Sequence, residues 1–189
     1  MDSPADPLRW LAVPCLTRSR EGTLLHSSHR IELVSEDILA STAIAGVMQN
    51  PWPGLHAGTA IHRSEDDSLT WSDPVWLSGL PDAVPLHLSL NTPVAVRGNV
   101  LQTSSGRLLI SAYTLGEHNT SCLFPSDDDG RAWSYVGPIA EENNETDLGY
   151  PHAVSLQDWR VFVVYYLNRK VDVNDRTALR FIEAYVVPE

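Results

Sequence analysis

The sequence predicts an all-β protein built from repeated hairpins, and two observations support this prediction. Three thirteen-residue segments align without gaps, at 13–25, 97–109 and 150–162. Two acid-rich turns that begin with serine and end with tryptophan follow the first two segments, at 64–71 and 126–133. Internal repeats decide the whole fold, so they take precedence over the assignment of single elements. The chain is therefore interpreted as consecutive units of one architecture.

Each of the three aligned segments reads as a short apolar strand, a polar turn and a second strand. The turns are centred on Gly22, on Gly106 and on residues 158–159. Stretches rich in apolar, β-branched and aromatic residues follow the second and third turns, at 107–113 and 160–167. The sequence therefore predicts three antiparallel hairpins.

The two acid-rich turns share the pattern Ser-x-Asp-x-Gly-x-Thr-Trp, with Ser68 replacing the glycine in the first and Ala132 the threonine in the second. A short carboxylate can accept backbone N–H bonds inside a tight turn, and glycine can supply a positive φ. The closing residue, Trp71 or Trp133, is predicted to return the chain to the sheet and bury its ring. A hairpin, a third strand, this turn and a closing strand form one four-stranded blade of a β-propeller.

These units predict about three antiparallel blades in one domain, 1–189. The first blade spans 10–77, the second 96–138, and a partial third 149–189. About three blades would leave bare sheet faces and edges, which propellers avoid by closing the ring. We therefore expect a propeller segment that covers roughly half a ring, and a homodimer is one arrangement that would complete it.

An insertion at 30–54 is predicted on the first blade. The first two hairpins begin 84 residues apart, at 13 and 97, whereas the second and third begin 53 apart, at 97 and 150. Within the surplus, residues 35–49 predict a helix that is capped by Ser35 and stops before Pro51.

The composition is that of an ordinary globular protein, with 43% hydrophobic and 20% charged residues. Twenty-four acidic against thirteen basic side chains give a net charge of −11, which disfavours nucleic acid as a partner. The sequence shows no signal peptide and no apolar stretch of about 20 residues that could span a bilayer. We expect a soluble chain with no metal or cofactor, because no motif for either occurs.

The hairpins and acid-rich turns together resemble the sialidase (neuraminidase) superfamily, whose Asp-box or BNR repeats build a six-bladed propeller. The resemblance covers 10–29, 55–77 and 96–187. Residues 98–113 with the second turn look like a middle blade of that family, and 149–166 look like its last blade. This resemblance implies a glycoside hydrolase that acts on a glycan or glycoconjugate and removes a terminal acidic sugar with retention.

The resemblance also implies site residues at the propeller axis, away from the Asp-boxes at the outer turns. Catalysis in the family uses three arginines that bind the sialic acid carboxylate, an Asp general acid and a Tyr nucleophile activated by Glu. Tyr150 stands nine residues before Trp159, where the family places its nucleophile. The same register gives Arg97, nine residues before Gly106, as an anion clamp. The Arg-Ile-Pro signature, which supplies the first of the three arginines in the family, is replaced here by Ala-Val-Pro at 12–14.

Structural alternatives stand beside each of these assignments. Tyr150 can be an aromatic side chain packed at a blade's inner edge, and Arg97 can pair with a nearby carboxylate. His26 and His29 are predicted to point to opposite faces of one strand, so they cannot chelate one metal. The functional alternative is a non-catalytic propeller fragment that binds glycan or protein, or a truncated inactive homologue.

Overall fold

The computed structural model describes residues 10–33, 47–48, 54–80, 94–114, 121–140, 149–157, 160–169 and 179–187. These residues form thirteen β-strands in three antiparallel sheets and contain no helix. The predicted all-β class is therefore confirmed for the described part of the chain.

Sheet 1 contains the first five strands. They are β1 (Trp10–Arg18), β2 (Leu24–Leu33), β3 (Val47–Met48), β4 (Gly54–Ser64) and β5 (Val75–Trp76). The order across the sheet is β1, β2 and β4, with β3 and β5 both paired to the far edge of β4. Sheet 1 is therefore four strands wide.

Sheet 2 has the same design. Its strands are β6 (Val94–Ala95), β7 (Leu101–Gln102), β8 (Leu108–Thr114), β9 (Ser121–Ser126) and β10 (Gly137–Ala140). The first strand is interrupted, so β6 and β7 both pair with one edge of β8, and β9 and β10 follow on the other side. Sheet 2 is again four strands wide.

Sheet 3 contains β11 (Gly149–Ser155), β12 (Val161–Arg169) and β13 (Leu179–Val187), in that order. The pairs β1 with β2, β7 with β8, and β11 with β12 confirm the three predicted hairpins. Gly22 and Gly106 have φ values of 97° and 91° in the first two turns, a region that glycine enters without steric cost.

The predicted helix at 35–49 is wrong where it can be checked. Within that range only Val47 and Met48 are described, and they form β3, in which Val47 pairs with Leu55 of β4. The open edge of β4 offers ladder hydrogen bonds, and such a tertiary contact overrides a local helical pattern. Residues 35–46 and 49 lie outside the described residues. The predicted insertion at 30–54 also overlaps real strands, since β2 continues through Leu33 and β4 begins at Gly54.

Sheets 1 and 2 pack face to face around the larger of two apolar clusters. Sheet 1 contributes Leu25 and Ile61, and sheet 2 contributes alternate residues of β8 and β9. The fully buried members of the second group include Leu108, Ile110 and Phe124. Side chains of a strand alternate between its two faces, so these residues define the sheet 1 side of sheet 2.

Sheets 2 and 3 pack around the second apolar cluster. Leu109 of β8 contacts Val161, Val163 and Tyr165 of β12, and Ala153 of β11 packs at its edge. Strand β8 is therefore buried on both faces, with neighbouring residues directed to different sheets. This explains why 108–113 lacks the polar alternation of a strand with one face in water.

Candidate functional site

The first strand of each sheet forms one of its edges, and we call these three edges the inner edges, after the place that first strands take in the predicted propeller. They are β1, the interrupted pair β6 and β7, and β11. Arg97 lies in the gap between β6 and β7, and its side chain is exposed. Its Nε donates a hydrogen bond of 3.4 Å to the hydroxyl of Tyr113 on β8. The structure thus places Arg97 at the edge of sheet 2 that β6 and β7 form, and its role at a site stays a prediction.

The charge of Arg97 also acts on the neighbouring inner strand. Burial raises the pKa of the Cys15 thiol on β1, and the positive charge of Arg97 opposes that shift. Arg97 and Cys15, on neighbouring sheets, are therefore close enough for their charges to interact.

The backbone next to Arg97 meets the inner strand of sheet 3. A Cβ on Gly98 would lie 3.0 Å from the carbonyl oxygen of Pro151 and 3.6 Å from Nδ1 of His152. The same carbonyl accepts a 2.8 Å hydrogen bond from the hydroxyl of Ser111 on β8. A side chain here would be in tight contact with β11, so the close approach of the two strands favours glycine at position 98.

Tyr150 belongs to β11 and directly precedes Pro151. The structure therefore brings the strand of Tyr150 against the segment that carries Arg97. The side chain of Tyr150 lies outside the described residues, so its role stays a prediction. His152, two residues further on, is exposed on the same strand.

The opposite end of the sheets carries the two acid-rich turns. In the first, the hydroxyl of Ser64 donates to Asp66 Oδ1 (2.8 Å) and accepts from the N–H of Ser68 (2.9 Å). The N–H of Thr70 donates to Asp66 Oδ1 (2.8 Å), and its hydroxyl donates to Oδ2 (2.6 Å). Serine and aspartate thus satisfy the backbone donors of the turn.

The second turn repeats three of these four hydrogen bonds. Ser126 donates to Asp128 Oδ1 (2.8 Å) and accepts from the N–H of Gly130 (2.9 Å). Asp128 Oδ1 accepts from the N–H of Ala132 (2.9 Å), and alanine has no hydroxyl to make the remaining bond. The predicted role of the aspartate is confirmed, whereas the acceptor role of the serine hydroxyl was not foreseen.

Positive φ values occur at two consecutive positions of each turn. Ser68 and Gly130 have φ values of 72° and 81°, as their shared place in the pattern predicts. Asp67 and Asp129 precede them with φ values of 56° and 58°, which the sequence did not reveal. Aspartate tolerates this left-handed region better than most residues, and that preference was the available signal.

The carboxylates within the turns are held in their charged form. Hydrogen bonds from the hydroxyl and N–H of Thr70 lower the pKa of Asp66. Burial opposes the charge of Asp128, but hydrogen bonds from the N–H of Ala132 and the hydroxyl of Ser126 outweigh it and lower the pKa. These carboxylates are structural acceptors, and nothing in their environment prepares them for proton transfer at neutral pH.

The two tryptophans differ in burial. Trp133 is only 8% exposed, and its Nε1 donates a 3.2 Å hydrogen bond to the carbonyl of Gly130. Trp71 is 40% exposed and makes an edge contact with His26. The prediction that both rings are buried is therefore wrong for Trp71, because no described part of the chain packs over it as sheet 1 packs over Trp133.

A buried arginine joins sheet 1 to the second turn. Arg63 of β4 is 8% exposed, and its Nη2 lies 2.6 Å from Asp129 Oδ2 and 2.9 Å from Glu65 Oε1. Thr23 donates a further 2.8 Å hydrogen bond to the same oxygen of Asp129. Burial opposes the charge of Arg63, but these two carboxylates outweigh it and raise its pKa. Sequence reasoning missed Arg63, although an arginine between apolar strand residues and an acidic turn was a visible signal.

A glutamine links the three hairpins at the same end. Gln102 accepts a 2.7 Å hydrogen bond from the N–H of Arg20 and donates one of 2.7 Å to Glu21. The backbone carbonyl of Gln102 accepts a 3.4 Å hydrogen bond from the hydroxyl of Ser155 on β11. Polar contacts therefore join all three sheets at the turn end.

Two open pockets lie at this turn end, away from Arg97. The first, of about 440 Å³, is lined in part by Arg18, Asp67 and Asp129. The second, of about 410 Å³, is lined in part by Arg107 and Asp127. Both are clefts between ion-paired side chains, since Arg18 bonds Asp67 and Arg107 bonds Asp127. We place the candidate site at the inner edges, which carry the predicted residues Arg97 and Tyr150, and assign the ion-paired Arg18 and Arg107 a structural role.

Within the described ranges, no three His, Cys, Asp or Glu side chains are grouped so that they could hold a metal ion. The described part of the chain also has no helix with the length and apolar character needed to cross a bilayer. His26 and His29 do lie on opposite faces of β2: His29 contacts the carbonyl of Val94 in sheet 2, whereas His26 stacks on His62 on the other face.

Solved structures with the same arrangement of sheets decide the fold. An uncharacterised protein of Dyadobacter fermentans DSM 18053 superposes with a TM-score of 0.68 at 20% identity, over 84% of this chain and 47% of that one. A Hadza microbial sialidase superposes with a TM-score of 0.56 at 14% identity, over 91% of this chain and 30% of that one. The chain has part of a sialidase-like β-propeller fold.

A third structure extends this likeness to another glycosidase. The α-L-arabinanase of Penicillium chrysogenum, solved with arabinobiose, superposes with a TM-score of 0.50 at 18% identity, over 86% of this chain and 42% of that one. No protein-family model and no curated protein sequence matches the chain. The propeller segment spans less than half the length of the solved structures that it matches. At these identities the likeness establishes the fold, and activity must be argued from the site.

Proposed function

We propose that this propeller segment is a sialidase-like glycoside hydrolase that acts on terminal acidic sugars, with Arg97 and Tyr150 at the axial face. The two acid-rich turns, in which a serine hydroxyl and an aspartate carboxylate hold the loop backbone, serve as its Asp-boxes. Arg97 binds the carboxylate of the sugar, and Tyr150 attacks the anomeric carbon. A phenolate suits this role, because a carboxylate nucleophile would be repelled by the carboxylate of the substrate.

The observation that carries the proposal is the meeting of inner strands around Arg97. Its side chain is exposed and its charge opposes the rise in the pKa of Cys15 on β1, while Gly98 lies against Pro151, the neighbour of Tyr150. A guanidinium binds a carboxylate through two parallel hydrogen bonds. The proposal therefore rests on a cation and a tyrosine-bearing strand on adjoining inner edges.

A fluorogenic sialoside assay tests the nucleophile. We expect Tyr150→Phe to lower kcat by about 100-fold or more, because phenylalanine has no oxygen to attack with. Tyr185→Phe is the matched control, since Tyr185 is exposed on β13 and should leave turnover unchanged. If wild type and Tyr150→Phe both show turnover only at background level, the proposed enzymatic activity is contradicted.

The anion clamp is tested by Arg97→Ala on the same substrate. We expect kcat/KM to fall about 10- to 100-fold, because a charge-assisted hydrogen bond to the sugar carboxylate is lost. Arg107→Ala is the control, since Arg107 pairs with Asp127 at the turn end. A neutral glycoside of the same aglycone should show no difference between Arg97→Ala and wild type.

The alternative is a propeller segment that binds acidic glycans without cleaving them. One observation favours it: Arg18, Arg63, Arg107 and Arg131 are all ion-paired at the turn end, and no second arginine has been placed beside Arg97 among the described residues. Titration with sialyllactose then shows saturable binding that Arg97→Ala weakens, with no sugar released. Binding of sialyllactose without release of sugar supports this alternative. Release of sugar by wild type, but not by Tyr150→Phe, supports the proposed hydrolase.

A further inference from the structure

The inner strand of sheet 2 bulges around Arg97. Its ladder pairs Ala95 with Tyr113 of β8, and it resumes where Leu101 pairs with Leu109. Five residues of the inner strand therefore lie between the two pairs, against three residues of β8. Extra residues of this kind bend a strand and change the direction of its side chains. The segment that carries Arg97 is thus released from the regular ladder.

A second bulge lies in the inner strand of sheet 3. Its ladder steps from Gly149 opposite Tyr166 to His152 opposite Val164, so two residues of β11 stand against one of β12. By contrast, β1 pairs with β2 without any shift from residue 10 to residue 18. Bulges are frequent beside binding sites, because they turn side chains out of the ladder. The two bulged inner strands are the ones that carry the residues of the proposed site.

His152 ends the second bulge and lies beside the first. A Cβ on Gly98 would be 3.6 Å from Nδ1 of His152, and Gly98 directly follows Arg97 in the chain. Chain geometry therefore puts this nitrogen within about 9 Å of the Cα atom of Arg97. An extended arginine side chain and one bound pyranose ring can together span that distance. A single sugar can therefore contact both residues.

The internal repeat gives His152 a counterpart on the other side of Arg97. In the ungapped alignment, Cys15 and His152 occupy the same position. The charge of Arg97 acts on Cys15, and His152 lies against the residue next to Arg97. The corresponding positions of both neighbouring sheets are thus close to Arg97. Of the two side chains, the imidazole is the stronger hydrogen-bonding group, since a thiol is only a weak donor.

The packing between sheets 2 and 3 does not account for the imidazole of His152. The carbonyl of Pro151 accepts its hydrogen bond from the hydroxyl of Ser111. Leu109 and Val163 belong to the apolar cluster that joins these two sheets, and His152 lies outside that cluster. His152 is also exposed. A polar side chain that a bulged strand holds at the surface fits a role in binding.

We propose that His152 is a further ligand-binding residue, whose imidazole hydrogen-bonds a ring hydroxyl of the acidic sugar while Arg97 binds its carboxylate. The inference rests on the glycan site proposed above and assigns the two residues to different parts of the ligand. A guanidinium matches a carboxylate, whereas an imidazole can donate to a hydroxyl oxygen or accept from the hydroxyl. The site then favours acidic sugars over carboxylates that have no hydroxyl groups.

Two ligands that share a carboxylate separate the two roles. N-acetylneuraminic acid has hydroxyl groups on its ring, and cyclohexanecarboxylate has a six-membered ring without them. Amide chemical shifts of the ¹⁵N-labelled 189-residue chain, followed during titration, give the Kd for each. We expect His152→Ala to raise the Kd for N-acetylneuraminic acid about 5- to 10-fold, because one hydrogen bond is lost. It should leave the Kd for cyclohexanecarboxylate unchanged, whereas Arg97→Ala should weaken the binding of both ligands.

Two further variants separate binding from packing. Glutamine keeps an N–H donor, so His152→Gln should recover part of the affinity for N-acetylneuraminic acid that His152→Ala loses. His26→Ala is the matched control, because His26 contacts Trp71 on the face of sheet 1 that is turned away from sheet 2. This variant should bind both ligands as wild type does. Circular dichroism spectra matching that of wild type confirm that the variants are folded.

The outcomes distinguish the inference from the proposed activity. Equal weakening of both ligands by His152→Ala overturns the inference, since His152 would then only shape the place where a carboxylate binds. Unchanged affinity of His152→Ala for N-acetylneuraminic acid overturns it as well, and so does a wild type that does not bind this sugar. The expected pattern of affinities, together with no release of sugar from a sialoside, supports the role of His152 and contradicts the hydrolase.

Discussion

The first and second turns have the same internal hydrogen bonds and very different surroundings. In both, a serine hydroxyl and an aspartate carboxylate hold the backbone of an acidic loop. The second turn is also packed by sheet 1, through Leu25 and Arg63, whereas its counterpart has no described sheet over it. The motif thus forms locally, and its burial depends on the preceding sheet.

The difference teaches how a replaced glycine is tolerated. Position 68 is serine with a φ of 72°, which costs on the order of 1 kcal/mol in backbone strain. At Gly130 a side chain would meet a second obstacle, since a Cβ would lie 2.8 Å from Cδ2 of Leu25. The first turn can therefore keep its serine, because no sheet among the described residues competes for the space.

Replacing each tryptophan with alanine should give the largest difference in stability between the two turns. We expect Trp133→Ala to lower the free energy of unfolding by about 3 to 5 kcal/mol, because it leaves a cavity in the larger core. Trp71→Ala should cost less than half as much, because that ring is partly in water already. Urea denaturation followed by circular dichroism measures both. Equal losses would mean that the two rings are equally packed.

Adding a methyl group at the shared glycine position should give the next largest effect. Gly130→Ala combines a left-handed φ with overpacking against Leu25, so we expect a loss of about 2 to 4 kcal/mol in the free energy of unfolding. Ser68→Ala in the first turn is the matched control and should change stability by less than about 1 kcal/mol. If Gly130→Ala were as mild as the control, the Leu25 contact would not constrain the turn.

Acid should weaken both turns together. The pKa values of Asp66 and Asp128 are lowered in the folded chain, so each carboxylate stabilises the fold above its unfolded pKa of about 4. That stability is lost as the pH falls through the folded pKa. Urea midpoints measured from pH 7 to pH 2 should therefore fall steeply below about pH 4. The double variant Asp66→Asn with Asp128→Asn should have a flatter profile than Asp73→Asn, which lies outside both turns.

Exchanging the residues in which the motifs differ should have the smallest effects. Ala132→Thr supplies the hydroxyl that Thr70 donates to Asp66, and should raise the free energy of unfolding by about 0.5 to 1 kcal/mol. Ser68→Gly relieves a positive φ and should stabilise by a similar amount. Thermal unfolding resolves such changes as shifts of a few degrees. A loss of stability in Ala132→Thr would show that the second turn has no room for a hydroxyl.

Local patterns predicted the fold well where the interactions are local. The hairpin turns at Gly22 and Gly106 and the carboxylate bonds of Asp66 and Asp128 depend on residues close in sequence. The helix at 35–49 failed at Val47 and Met48 because their strand depends on the edge of β4. Contacts between sheets were equally invisible from the sequence.

In the candidate site, too, some residues could be predicted from the sequence and others could not. The repeat register predicted Arg97 for an inner edge; the residue lies in the gap between β6 and β7, and its positive charge opposes the rise in the pKa of Cys15. Arg63 was missed because its partner Asp129 is 66 residues away in the chain, so only the packing of sheets brings them together. Tyr150 lies on the predicted strand, and its chemistry stays a prediction.

Strand β8, which is buried on both faces, has a consequence during synthesis. Its residues 108–113 contain no charge and no proline, a composition that favours association between strands of different chains. Sheet 1 emerges from the ribosome before this strand and can cover one face at once. The other face stays open until β12 has been translated, about 50 residues later, or roughly 3 to 10 seconds at ordinary rates of elongation. A nascent chain that stalls in that interval would expose one face of an uncharged, association-prone strand.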